Sequence, residues 1–279
     1  MSVGSPILED HTVTKRETLL TSAADLPPPP PKRRPRFVVL VGRGGGGKTT
    51  VVRWICERVF AGGRSVVIAD GDRTNRTLPL YFDGVLAPPS ADDRVVRRWL
   101  EAIIDRMIAE GFDVVLDLGG GDMVLKHLAA ELDLQAMLEA AGVDLVVLHL
   151  IGPEVESLGY LASVEAPGPS GAPLFAPERT VLVLNEGLVS EDLDPAEVFA
   201  PIREHKTFRA ALRRNAQTVV MPRLKPAYEV NRRHVLFQDA ADGATKDGLP
   251  PLTPTDRQRV RLWLRAMDAA FAAILAWLP

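Results

Sequence analysis

The chain has 279 residues, 46% hydrophobic and 25% charged, with a net charge of −3, enough to bury a sizeable core in one large α/β domain. The small negative charge excludes a global pull toward nucleic acid, so any such binding must come from a local patch. One cysteine, Cys56, excludes an internal disulfide framework and a multi-cysteine iron–sulfur cluster, fits a reducing cytoplasm, and is expected to pack in a helix; no stretch reads as a secretory signal or as an apolar membrane span.

Residues 1–36 read as a disordered tail. Five consecutive prolines, 27–31, precede Lys32-Arg33-Arg34-Pro35-Arg36, a segment that favours extended polyproline geometry and cannot form a core. Residues 37–279 read as one domain. The apolar run 37–41 predicts a buried strand. Gly42-Arg43-Gly44-Gly45-Gly46-Gly47-Lys48-Thr49 follows at once, and then a helical pattern of Val51, Val52, Trp54, Ile55 and Val59. Strand, glycine loop, helix is the context in which Gly-x-x-x-x-Gly-Lys-Thr becomes a phosphate site. Glycines let successive backbone N–H groups turn inward around phosphate oxygens, and the start of the helix adds its free N–H groups and its positive dipole end. Lys48 would reach the β- and γ-phosphates, the Thr49 hydroxyl would bind Mg²⁺, and Thr50 would lie near the α-phosphate.

A second apolar strand, 66–70, leads into Asp70-Gly71-Asp72, two acids at a strand end, where ligands of open parallel sheets bind. Residues 73–90 read as a long loop and 92–110 as a helix with the stripe Val95, Val96, Trp99, Leu100, Ile103, Ile104 and Met107. A third strand, 112–117, ends in Asp117 and runs into Leu118-Gly119-Gly120-Gly121-Asp122. An Asp at that place behind a P-loop threonine serves Mg²⁺, directly or through water. Further on, the pattern predicts helix 123–141, strand 144–150, helix 153–164, strand 180–185 ending in Asn185, helix 195–215, strand 218–222, a loop over 239–254 and a final helix over 255–278. The alternation predicts an α/β fold: a mostly parallel sheet with helices on both faces, of the P-loop NTPase type.

Together these motifs resemble the ParA/MinD ATPases. Arg43-Gly44-Gly45-Gly46-Gly47-Lys48-Thr49-Thr50 is similar to their deviant Walker A, Lys-Gly-Gly-x-Gly-Lys-Thr-Thr; Asp70-Gly71-Asp72 matches their Asp-x-Asp, Asp117 their Walker B acid and Asn185 their strand-end Asn. The resemblance runs over about residues 37–222 and implies a slow Mg·ATP-dependent switch that forms a sandwich dimer and positions DNA or other cargo, with plasmid partition and conjugation as nearest branches. It implies that Lys48 and the Gly44, Gly45, Gly46 and Gly47 amides hold phosphates, that Thr49 and Asp117 serve Mg²⁺, that Asp72 orients the attacking water, that Arg43 neutralises charge in cis or across a dimer, and that Asn185 meets the adenine edge. Three positions depart from the family. Arg43 replaces its signature Lys, Arg73-Thr74-Asn75 replaces Pro-Gln after the Asp-x-Asp, and glycines stand where a proline often follows Walker B. GTP is disfavoured, since Asn185-Glu186-Gly187-Leu188 lacks the Asn-Lys-x-Asp pattern that reads guanine.

Two other functions stay open: a small-molecule kinase or ligase on the same P-loop, and a nucleotide-gated adaptor that hydrolyses little. The expected partners are a second copy of the chain, nonspecific DNA and a small DNA-binding protein. Between residues 203 and 234 nine basic side chains face two acidic ones, and Arg209, Arg213 and Arg214 are the candidate DNA contacts. The final helix, with Trp263 and Trp277 beside Leu264 and Leu278, is expected to pack on the sheet rather than bind a membrane surface.

Overall fold

The computed structural model describes residues 33–120, 122–166, 173, 175–246 and 248–279. Chain contacts divide the molecule into Met1–Arg33 and Arg34–Pro279; the second unit carries every element below, and most of the expected tail lies outside the described residues. Its elements are β1 (Arg36–Gly42), α1 (Lys48–Ala61), β2 (Val67–Gly71), α2 (Asp93–Glu110), β3 (Val114–Leu118), α3 (Val124–Leu132), α4 (Leu134–Ala140), β4 (Asp144–Ile151), α5 (Gly159–Glu165), β5 (Arg179–Asn185), α6 (Pro195–Val198), α7 (Ala200–Glu204), α8 (Lys206–Arg213), β6 (Gln217–Met221), α9 (Ala227–Asn231), α10 (Phe237–Asp242) and α11 (Pro254–Ala270).

The strands form one six-stranded sheet in the order β2-β3-β1-β4-β5-β6, and every pairing is parallel. Period-two alternation sorts β1 between the two faces. Val38 and Leu40 join a core with α1, α10 and α11, whereas Phe37, Val39 and Val41 join one with α2, α3 and α4. A smaller core, including Leu182, Leu184, Phe199 and Phe208, lies under α7 and α8. Burial on both faces explains why the strands read as unbroken apolar runs. The order sends the chain from β1 out to β2, back to β3, and across to β4 on the other side of β1, so the P-loop stands where the connections diverge, the usual ligand crevice of such sheets.

Several helices end earlier than the apolar periodicity predicts. The expected helix 123–141 is two helices, because Asp133 adopts a left-handed conformation (φ 45) that Asp tolerates better than most residues. The expected helix 195–215 is three short ones; His205 is extended and its Nδ1 accepts a hydrogen bond from the Thr207 N–H at 3.3 Å, starting α8 afresh. Part of the expected loop 239–254 is α10 instead. The C-terminal helix packs as expected, with Val260, Trp263, Met267, Phe271 and Ile274 buried in the α1 core, but its last turns, Ala272–Trp277, are 3₁₀. Cys56 is buried in that core too. No helix among the described residues is long and apolar enough to cross a membrane.

One carboxylate fastens α10 to the P-loop helix. Glu57 accepts hydrogen bonds from the Phe237 N–H at 2.8 Å and the Gln238 N–H at 3.3 Å. Burial pushes its pKa from 4.5 up to about 7, against the pull of those N–H groups and of Arg53. The folded chain then holds a proton that the unfolded chain releases between these values, so the Glu57 contribution to stability is complete at lower pH and is lost as pH rises through about 7. Urea unfolding from pH 4.5 to 7.5 should show Glu57→Gln with a flatter pH dependence than the parent, the difference amounting to ~3 kcal/mol. Superimposable pH profiles would show that Glu57 titrates normally.

Candidate nucleotide site

Gly47 starts α1 in a left-handed conformation (φ 95), with no side-chain cap and no acidic residue in the first turn. The first N–H groups of α1 are thus left for an anion, at the positive end of its dipole. A side chain at Gly47 would be excluded, since a Cβ there would lie 2.5 Å from Asn185 Nδ2. The Lys48 ammonium is buried at the loop and donates to the carbonyls of Gly42 (3.2 Å) and Arg43 (3.1 Å). Burial lowers its pKa, while Asp117 and Asp72 oppose the shift.

The Thr49 hydroxyl donates to Asp117 Oδ2 at 2.7 Å, and Asp117 Oδ1 is buried with no hydrogen-bond partner. Burial raises the Asp117 pKa to about 7, with the Thr49 bond and Lys48 pulling the other way. A threonine hydroxyl beside a carboxylate with an orphaned oxygen is a hard-oxygen donor set that suits Mg²⁺, an ion normally bound by one or two protein groups plus phosphate and water. Among the described residues no group of three or more His, Cys, Asp or Glu forms a self-sufficient metal cage.

The two acids after β2 divide the work. Asp70 is buried and holds the loop, its Oδ1 accepting from the Asp72 N–H at 3.1 Å. Asp72 faces the cleft. Its Oδ1 accepts from the Thr74 N–H (2.9 Å), the Thr74 hydroxyl (2.8 Å) and the Asn75 N–H (3.0 Å). Partial burial works against its charge, but these bonds and Lys48 hold its pKa below the ordinary carboxylate value. A cleft of about 520 Å³ brings Asp72 together with Gly44, Gly45, Gly46, Gly47, Lys48, Thr49 and Thr50.

Two expected site residues have partners within the chain. Asn185 buttresses the P-loop: its Nδ2 donates to Gly46 O at 2.9 Å and its Oδ1 accepts from the Gly187 N–H at 2.8 Å. Arg214, 32% exposed, forms a two-point ion pair with Glu165, which is only 8% exposed. Arg209 and Arg213 remain exposed on α8. Arg43 is exposed as well, its side chain makes no hydrogen bond or ion pair among the described residues, and it borders a pocket of about 380 Å³ next to α5.

Sequence reasoning missed a linkage between the loops. Arg73 reaches from the Asp72 loop to Asp122 Oδ2, donating from Nε at 3.1 Å and Nη2 at 2.9 Å, and it also holds Asp93 at the start of α2. Asp122 in turn accepts from the Val124 N–H at 2.8 Å, the first residue of α3. Between these points Gly120 lies directly on the P-loop: a Cβ there would fall 2.1 Å from Gly44 N. The signal was the departure at Arg73 from the family's Pro-Gln, which spacing alone could not connect to Asp122. Arg73→Gln should lower the unfolding free energy by about 1–3 kcal/mol by stranding a buried carboxylate. Asp122→Asn in the same chain should recover part of that loss, measured by urea unfolding of single and double variants; simply additive losses would dismiss the pair.

An all-parallel sheet with this loop between its central strand and α1 defines the fold of a P-loop NTPase. The sequence profile of the family described as Zeta toxin matches residues 21–159, a span that holds the P-loop and both acidic strand ends. No curated protein matches. Among solved structures, the MinD cell division protein of Aquifex aeolicus is similar at 15% identity and a TM-score of 0.40, covering 84% of this chain and 97% of its own. The signal recognition particle receptor FtsY of Elizabethkingia anophelis is similar at 15% identity and 0.41, with 83% and 66% covered. A GTPase in apo form from Pyrococcus abyssi gives 15% and 0.39, with 71% and 97% covered.

Proposed function

We propose that this protein is a Mg·ATP-dependent switch ATPase of the ParA/MinD type, which dimerises on ATP and positions DNA or a DNA-bound partner, as in plasmid partition or conjugation. The observation that carries the reading is the mechanical connection of the loops. Gly120 rests on Gly44, and Arg73 ties the Asp72 loop to Asp122, so a γ-phosphate arriving at the P-loop must act on both strand-end loops together. Lys48 and the loop amides would neutralise and hold the phosphates, Thr49 and Asp117 would hold Mg²⁺, and Asp72 would orient the water. When bound, Mg²⁺ adds charge neutralisation on the β- and γ-oxygens. Arg43, its side chain exposed and without a described partner, would reach a second copy, although its planar fork differs from the family's Lys.

DNA would meet Arg209 and Arg213, while Arg214 is committed to Glu165. Such contacts are to phosphates, so removing both arginines should weaken unrelated duplexes equally and reduce the salt slope by about two. Fluorescence anisotropy over a salt series with ATP present tests this, and ATP turnover with and without DNA tests the function itself. Turnover raised by DNA supports the switch reading, and no DNA binding at low salt would leave the adaptor form.

The Zeta toxin match and one further observation favour a second reading, a small-molecule phosphotransferase. Asp72 lines both the P-loop cleft and a second pocket of about 330 Å³ bounded by Arg73, Asp93 and Asp122, so one carboxylate stands between a phosphate site and a separate space. Turnover raised by a small hydroxyl compound rather than by DNA would select it.

A further inference from the structure

The two edges of the sheet are finished differently. At β2 the edge is covered by the chain itself: Leu86 O accepts from the Asp70 N–H at 2.8 Å, and the Leu86 N–H donates to Ile68 O at 2.9 Å. At the other end β6 pairs with β5 on one side, and among the described residues its outer side makes no backbone hydrogen bond. Open edges are ordinarily guarded by Lys, Pro or a bulge, because their unpaired N–H and C=O groups recruit other strands. Gln217-Thr218-Val219-Val220-Met221 has none of the three, and Thr218 is exposed. We infer that the free edge of β6 is a docking surface for an extended segment of a partner protein in which acidic and apolar residues alternate, added to the sheet as a seventh strand. The inference is independent of the nucleotide reading of the P-loop.

The helices on either face of the edge define that partner. On one face Val220 packs against the core of Phe208 and Ala211 in α8; on the other Val219 and Met221 pack with Val260, Trp263 and Met267 of α11. The inward side of α8 is marked by Arg214, committed to Glu165 of α5, while Lys206, Arg209 and Arg213 stand exposed on its outward side. On α11, Arg261 donates to Ala241 O of α10 and Asp268 pairs with Arg58 of α1. The other side of that helix, with Leu262 at 51% exposure and Ala266, therefore borders the free edge, and the alanine leaves room beside it. An added strand turns alternate side chains to the two faces. Those toward α11 would meet Leu262 and Ala266, which calls for apolar residues. Those toward α8 would meet three cations, with Glu204 the one acid between residues 203 and 214, which calls for acidic residues. The same cations oppose a second copy as occupant: antiparallel pairing of two β6 edges about a two-fold axis would set α8 against α8, like charge against like.

Fluorescence anisotropy of the full chain with a labelled decapeptide of alternating Glu and Val tests the surface. Arg209 and Arg213 are left unchanged, since they are also the DNA contacts proposed above. The parent should bind the peptide, and should not bind its counterpart with Lys in place of Glu. Leu262→Glu, at an exposed position, should weaken binding about tenfold or more. Strand addition has its own signature. In an extended peptide the N–H groups of the Glu residues point to one edge and those of the Val residues to the other. Of two peptides, one N-methylated at every Glu and the other at every Val, one should lose binding and the other keep it. No binding by the parent, parental affinity in Leu262→Glu, or equal effects of the two methylations overturns the proposal. Light scattering without nucleotide checks the other occupant: a doubled mass that Leu262→Glu abolishes would give the edge to a second copy and overturn it as well.

Discussion

Lys48→Ala is expected to lower Mg·ATP affinity by about thirtyfold to several thousandfold, the range for truncating one partner of a buried charged pair. The reason is positional. Lys48 is the buried cation of the loop, and its ammonium sits on the carbonyls of Gly42 and Arg43, from which a phosphate would draw it. Arg43 cannot replace it, being exposed at the loop's outer edge. The fold should survive, because the substitution removes no apolar contact of the three cores. Calorimetry, with far-ultraviolet circular dichroism as a check on folding, measures the loss. A folded variant with parental affinity would take Lys48 out of phosphate binding.

Asp72→Asn should behave in the opposite way, retaining ATP and losing turnover by about 10²–10⁴, the range for removing a positioned acid–base group. Asn is preferable to Ala here. Its side-chain oxygen can still accept from the Thr74 and Asn75 N–H groups that now hold Asp72 Oδ1, so the loop stays in place while the charge goes. The carboxyl is held ionised by those bonds and by Lys48, which suits an acceptor that orients water or takes its proton. A kcat loss with KM nearly unchanged is the expected signature. Parental kcat would move the orienting role to another residue.

Features that were legible in the sequence are local ones. The P-loop needs only a strand, four consecutive glycines, Lys48, Thr49 and the first turn of a helix, all within one short segment, and Asp72 and Asp117 are strand ends that any parallel sheet would bring to the same edge. Features that were not legible are pairs made by folding. Arg73 meets Asp122 49 positions away, Asn185 meets Gly46 139 positions away, and Arg53 meets Asn231 178 positions away. No periodicity encodes such partners, so Arg73 read only as a departure. Helix length was over-read for a related reason: apolar spacing continues through Asp133 and His205, while the backbone there leaves the helix. In the segment after β6, where short helices and turns mix, pattern is weakest, and that segment supplies the far wall of the cleft.

The switch reading stands or falls most directly on assembly. Light scattering of Asp72→Asn, which should trap the ATP state, compares molecular mass with Mg·ATP, with Mg·ADP and without nucleotide. A mass that doubles with ATP alone, and fails to double when Arg43→Ala is added although ATP still binds, is the expected result. The same monomer mass in all three conditions, at ATP concentrations shown by calorimetry to saturate the site, would contradict it.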